Sequence, residues 1–229
     1  MLEHYMAQAS TYASHVDGLV WLILLITGFW FIAAEVMFFW LLWRFRAQPG
    51  HAARYIDDHE EHDIKYKWVE IPHRVILACD VALIVGAITV WTEVKLTRPP
   101  TDETIRITVQ QWAWTFQHPG ADGQLDTEDD IVSIDEMHVQ VGKTYLFELA
   151  SKDVVHSFSV PAFRLKQDAI PGRVITGWFS PTQTGDFDVQ CAEICGIGHG
   201  IMPARLVVST PEDHAAWLAN PTHYLAYQY

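Results

Sequence analysis

The stretch CAEICGIGHGIM, Cys191–Met202, sets two thiols four residues apart, an imidazole four residues on and a thioether three further. Two cysteines alone leave three readings open: a structural disulfide, a thiol-redox pair or a metal site. His199 and Met202 weigh on that choice, because a disulfide needs neither. Thiolate, imidazole and thioether together form a soft-to-borderline ligand set that suits copper. One thiolate with two histidines and a weak methionine makes a mononuclear blue-copper site. Here the thiolate is doubled, which oversupplies a single copper. Two thiolates can instead bridge two coppers, each capped by one imidazole. That arrangement needs a second histidine, and His156 in SKDVVHSFSVP (Ser151–Pro161) is the candidate. The bland alternative for His156 is a satisfied core residue.

Around this loop the chain reads as β structure. IRITVQ (Ile105–Gln110) alternates apolar and polar residues, and TYLFELA (Thr144–Ala150), RVITGWF (Arg173–Phe179) and ARLVVS (Ala204–Ser209) are further strands, punctuated by Asp-Gly, Pro-Gly and Thr-Gly pairs. This spacing predicts an antiparallel sandwich or barrel. Thr210 and Pro211 predict the N-cap and first residue of a short C-terminal helix through Trp217. Between Phe116 and Ile131, QHPGADGQLDTEDD reads as a solvated acidic hairpin, with Ca²⁺ chelation as its less favoured alternative because the spacing is not that of an EF-hand loop.

Further outward, the N-terminal part is apolar. LVWLILLITGFWFIAAEVMFFWLLW, Leu19–Trp43, runs 25 residues with one charge, Glu35. That is long enough to cross a bilayer core of roughly 30 Å with some tilt. It is longer than a signal-peptide apolar region, and no basic segment precedes it. VILACDVALIVGAITVW, Val75–Trp91, is a shorter second run with Asp80 inside. Acids at such depths face protein or water rather than lipid, so Glu35 and Asp80 predict packing against other membrane helices or a polar partner within the hairpin. Cys79 reads as a small buried hydrophobe. Residues 1–18 carry no Lys or Arg, whereas the connection between the spans holds Arg44, Arg46, Arg54, Lys65, Lys67 and Arg74. The positive-inside rule puts that connection in the cytoplasm and both termini outside. His59 and His62 within DDHEEHD (Asp57–Asp63) offer two imidazoles, but so acidic a run reads as a solvated face.

The expected organisation is therefore a transmembrane helical hairpin over 1–98 and an exported β domain over 99–229. The whole chain has a formal charge of −13, and residues 100–229 hold 7 Lys+Arg against 17 Asp+Glu, that is 7 − 17 = −10. Nucleic acid is not an expected partner for such a balance.

The ligand loop C-A-E-I-C-G-x-G-H-x-x-M, SxDVxHSFxVP, KxDAxPGR (Lys166–Arg173), the helical hairpin and QWAWTF (Gln111–Phe116) together closely resemble subunit II of cytochrome c oxidase, over nearly the whole chain. The resemblance implies a cupredoxin-like Greek-key β-sandwich holding the dinuclear copper A centre. Its ligands would be the side chains of His156, Cys191, Cys195, His199 and Met202 and the backbone carbonyl of Glu193. It also implies that the Glu193 carboxylate binds Mg²⁺ at the border with subunit I, that Trp112 is the aromatic through which electrons come in, and that Asp168 and Arg173 face subunit I. The implied activity is acceptance of electrons from cytochrome c or a similar soluble carrier. They would pass to haem in subunit I for reduction of O₂ to water, coupled to proton pumping. The chain itself has no CxxCH for haem, and is expected to be catalytic only within that complex, in a bacterial plasma membrane with the copper domain on the periplasmic side. Where the family often has a glutamate three residues before the tryptophan opening the second helix, this chain has Lys65 before Trp68, so no proton-channel role is carried to it.

Three rivals are distinguishable. An anchored copper chaperone or thiol-disulfide protein has no need of Met202. Quinol oxidase subunits II lack the copper ligands. Nitrous oxide reductase shares the ligand loop but has no helical hairpin.

Overall fold

The computed structural model describes residues 7–50, 64 and 66–221. The acidic run 57–63 and Lys65 lie outside them. His15–Glu93 forms one compact unit, and the remaining described residues form another.

In the first unit, helix α1 spans Ala13–Arg44 and α2 spans Ile71–Trp91. Wider π-type turns, Tyr66–Glu70 and Thr92–Leu96, extend α2 at both ends, so the second span is longer than its apolar run. Both helices are long and apolar enough to cross a membrane. Trp21, Leu25, Phe29, Phe31 and Trp91 are all exposed on them, as side chains meant for lipid or for another protein are. The two helices meet where Gly86 faces Leu19 and Leu22, and His15 Nδ1 lies 2.6 Å from Glu93 Oε1, joining the start of one to the end of the other. Glu35 and Asp80 are exposed and have no side-chain partner among the described residues.

The second unit is a sandwich of two five-stranded sheets among the described residues. One has the order β3-β2-β1-β5-β8, from Ile131–Ile134, Ala113–His118, Glu103–Gln110, Tyr145–Ser151 and Ile175–Phe179. The other has the order β4-β10-β9-β6-β7, from Glu136–Gln140, Ala204–Ser209, Gly185–Cys191, His156–Val160 and Leu165–Ala169. The expectation of a purely antiparallel sandwich needs correcting: β1 pairs β5 and β4 pairs β10 in parallel. Parallel neighbours require a crossover, and here the chain crosses to the other sheet between them. Arg173, expected to begin a strand, lies in the turn before β8, its N–H on Ile170 O.

Alternation of burial along β1 and β5 sends Ile105, Ile107, Val109, Tyr145, Phe147 and Leu149 inward. Phe158 on β6 packs its ring against Trp114, Phe116 and Phe147 and so joins the two sheets. The acidic segment is a hairpin loop between β2 and β3. Its carboxylates are taken up locally: Asp126 by Arg106, Asp130 by Gln117, and Asp129 by Thr127. Helix α3, Pro211–Ala219, starts as expected, with Thr210 Oγ1 accepting from Asp213 N. Residues before α1 also belong to this unit. Ala9 N–H donates to Ala162 O, Thr182 N–H to Ala9 O, and Ser10 Oγ to Phe163 O, while Tyr12 is buried against Trp178.

Candidate metal centre

The sheet of β6 and β9 builds the site. These strands pair antiparallel with Phe158 opposite Cys191, so His156 at the start of β6 sits beside the end of β9. The main chain then leaves the sheet, Ala192 N–H donating to Ser157 O, and returns as β10. Between them a 3₁₀ turn, His199–Ile201, folds the loop back, which swings His199 and Met202 towards the cysteines.

The ligand atoms of His156, Cys191 and Cys195 lie within 4.8 Å of one another, the one such cluster among the described residues. Cys191 Sγ is 3.8 Å from His156 Nδ1, 3.8 Å from Cys195 Sγ and 3.2 Å from Glu193 O. Cys195 Sγ is 3.6 Å from His199 Nδ1 and 3.4 Å from Met202 Sδ. All six expected donors therefore converge. Both cysteines are free thiols. Their 3.8 Å separation is far beyond an S–S bond of about 2.05 Å but less than twice a thiolate–metal bond of about 2.3 Å, so an ion fits between them. His156, Cys195 and Met202 are buried, while Cys191 and His199 reach the rim. Burial, and next the neighbouring Cys191 thiol, push the Cys195 thiol up to about 11. A metal ion must displace that proton, which couples binding to pH.

Asp153 Oδ1 lies 3.0 Å from His156 Nε2. The imidazole that donates there keeps its Nδ1 lone pair turned towards Cys191. Trp114 is buried, and its indole N–H donates to Met202 O at 3.0 Å, fixing the end of the ligand loop. Neither Asp153 nor Trp114 is assigned a role at the site by sequence alone. The Asp-x-x-His spacing was a usable signal for the first. The second had none, because a buried tryptophan in a strand reads as core.

Trp112 does not sit in a strand. It occupies the two-residue turn joining β1 and β2, beyond the Gln110–Ala113 pair, and its ring remains partly exposed. The ring lies on the ligand loop itself: a Cβ added at Gly198 would collide with Trp112 Cδ2, and one at Gly196 would meet Cζ2 at 3.1 Å. Gln111 Nε2 donates to Cys195 O at 2.8 Å from the same turn. Asp168 lies on β7 beside the site, Oδ1 accepting from Ser157 and Lys166, and Arg173 is exposed. The Glu193 side chain points outward, and among the described residues no second group of metal-ligating side chains forms around it.

Residues 103–210 match the family described as cytochrome C oxidase subunit II, periplasmic domain. The alternative cytochrome c oxidase subunit 2 of Bradyrhizobium diazoefficiens is 31% identical over 226 residues, covering 89% of this chain and 79% of its own length. This chain belongs to the cytochrome c oxidase subunit II family. A second subunit 2, from Cereibacter sphaeroides, is 29% identical and covers 93% of this chain and 78% of its own length. The solved periplasmic domain of a Bradyrhizobium japonicum subunit II is 34% identical and overlays all of that chain on 57% of this one, with a TM-score of 0.49. Its β domain is cupredoxin-like. The soft donor set brought together by the two loops fits the copper that the family implies.

Proposed function

We propose that this chain is the electron-accepting subunit of a membrane cytochrome c oxidase, with a dinuclear copper A centre as its redox group. The observation that carries the reading is the convergence of two thiols, two imidazole Nδ1 atoms, a thioether and one carbonyl on a single partly buried site. His156, Cys191, Cys195, His199, Met202 and Glu193 O would hold the copper pair, which supplies a one-electron couple when bound. The chain's own contribution is to hold these donors at the ends of two interior strands and keep water from Cys195 and Met202. Trp112 would receive the electron at the surface, its ring lying on the loop between Cys195 and His199. Haem in subunit I would then be the acceptor, where O₂ would be reduced to water, coupled to proton pumping.

Residues 1–98 would anchor the chain in a bacterial plasma membrane and 99–229 would stand on the periplasmic side. The residues before α1 and those after α2 belong to the same compact unit, which supports a hairpin with both ends on one side. The cationic connection supports a cytoplasmic position for its turn. The lack of partners for Glu35 and Asp80 among the described residues supports burial of both against subunit I. Any Mg²⁺ at Glu193 would take most of its oxygen ligands from that partner, since one exposed carboxylate is far short of an octahedral shell.

Rapid mixing of the copper-loaded chain with a reduced basic cytochrome c tests the reading. Trp112→Ala should slow reduction by about tenfold or more, a rise of about 1.4 kcal/mol in barrier, with copper stoichiometry unchanged. Loss of copper would make Trp112 a structural residue. Reduction at the normal rate would place electron acceptance elsewhere.

A further inference from the structure

We infer that Asp153 is a positioning residue for both halves of this site, orienting the His156 imidazole with one carboxylate oxygen and anchoring the Gln111–Trp112 turn with the other. The inference rests on the reading of the site given above and adds to it a residue with no ligand role. Asp153 Oδ1 lies 3.0 Å from His156 Nε2 and also accepts from Val154 N at 2.6 Å. Its Oδ2 accepts from Gln111 N at 2.7 Å. Gln111 in turn reaches back with Nε2 to Cys195 O at 2.8 Å. The result is a closed chain of hydrogen bonds from one ligand residue to another, His156–Asp153–Gln111–Cys195, with Trp112 next to its midpoint.

An aspartate that only capped its own turn would bond to Val154 N and Ser151 and stop there. The bond to the Gln111 N–H, 42 residues away, is not local, and the bond to His156, three residues on, goes to a side chain that points into the site rather than to the turn's own backbone. Their chemistry is specific. A carboxylate offers acceptors on both oxygens, and both partners here are donors. It holds the His156 ring in the tautomer that leaves Nδ1 free for a metal, and outer partners of this kind are worth about 10–100-fold in metal affinity. The same group fixes the distance between the ligand loop and the partly exposed aromatic. One residue thereby couples the geometry of electron acceptance to the geometry of the metal.

Asparagine separates the two roles. Its Oδ1 can still accept from His156, but its amide N–H₂ would face the Gln111 N–H, donor against donor. Alanine removes both. The test uses the full chain in detergent with three readouts: amide hydrogen exchange at Gln111–Trp112 in the metal-free protein, copper affinity by competition, and nitrogen hyperfine coupling of the copper-loaded protein. Asp153→Asn should speed exchange at Gln111 by about tenfold, the loss of one hydrogen bond, while leaving copper affinity and the histidine couplings near wild type. Asp153→Ala should speed exchange equally, lower copper affinity by about 10–100-fold and shift one histidine coupling. Gln111→Ala should leave the histidine couplings in place.

Asp153→Ala with unchanged exchange and affinity would make Asp153 an ordinary surface turn residue. Loss of affinity without faster exchange would overturn the coupling. Loss of near-ultraviolet dichroism in the asparagine variant would make Asp153 structural and overturn the positioning role. A wild-type chain that binds no copper would sink the copper reading, while the exchange measurement still decides whether Asp153 anchors the turn.

Discussion

Gly198 has an ordinary backbone, with φ of −89°, so what its missing side chain provides is space for the Trp112 ring. Gly200, two residues on, has nothing within 4 Å of an added Cβ. This pair gives a matched steric test. Gly198→Ala should displace the ring and slow reduction by a cytochrome c towards the Trp112→Ala value, about tenfold, with copper stoichiometry kept. Gly200→Ala should match wild type. Equal behaviour of the two variants in rapid mixing would mean that the ring's seat on the loop has no part in electron acceptance. At this scale sequence and structure agree where donors are close in the chain. Cys191, Cys195, His199 and Met202 were legible from spacing, because a short loop leaves them few ways to point. The partners of Gln111 were not legible: they lie 42 and 84 residues away, one brought near by the pairing of β1 with β5 and the other lying beyond β9 in the opposite sheet.

Helix α3 docks onto the sandwich through Trp217, which packs against three buried histidines: His138 stacked at 4.4 Å, His118 edge-on at 5.1 Å and His214 at 5.4 Å. His138 has Glu136 as a partner, but among the described residues neither ring nitrogen of His118 or His214 has any. Burial, with His138 nearby, lowers His118 to about 3, and burial, with Lys143 and His138 nearby, lowers His214 to about 4. The unfolded chain protonates these groups near pH 6.5, so below that it binds more protons than the folded one. Their lowered values therefore carry no proton-linked cost above about pH 6.5. Stability falls as pH drops from there towards 4, by up to about 1.4 kcal/mol per pH unit for each histidine. Denaturant melts followed by near-ultraviolet dichroism at pH 7.5 and 5.5 should show this loss, and His214→Leu should reduce the slope. A pH-independent midpoint would contradict it. The strands Ile105–Gln110 and Ala204–Ser209 were legible from alternation, and α3 from its cap. The parallel pairings were not, because nothing local in β1 distinguishes β5 from an antiparallel neighbour. The length of α2 was underestimated because its ends are polar.

At the scale of the whole chain, charge and hydropathy divide the labour. The hairpin is long and apolar enough to cross a membrane, and residues 100–229 carry 7 − 17 = −10. Arg106, Arg205 and Lys143 are committed to acids within the domain, so much of the basic complement is already neutralised. A basic donor should therefore be steered to this domain. Its second-order rate should fall by about tenfold as ionic strength rises from about 0.01 to 0.15 M and the Debye length shrinks from about 30 to 8 Å. A flat salt dependence in rapid mixing would point to an apolar encounter instead. The division into hairpin and β domain was legible in composition alone, whereas the joining of residues 7–12 to the β domain was not, since those residues carry no strand pattern. Whether the centre holds two coppers is read by electron paramagnetic resonance of the copper-loaded full chain, with metal analysis of the same sample. The spectrum should show one unpaired electron shared over two copper nuclei, lost to at best a localised signal in Cys191→Ser. A single localised Cu(II) in the wild-type chain, or a wild-type spectrum in Cys191→Ser, would contradict it.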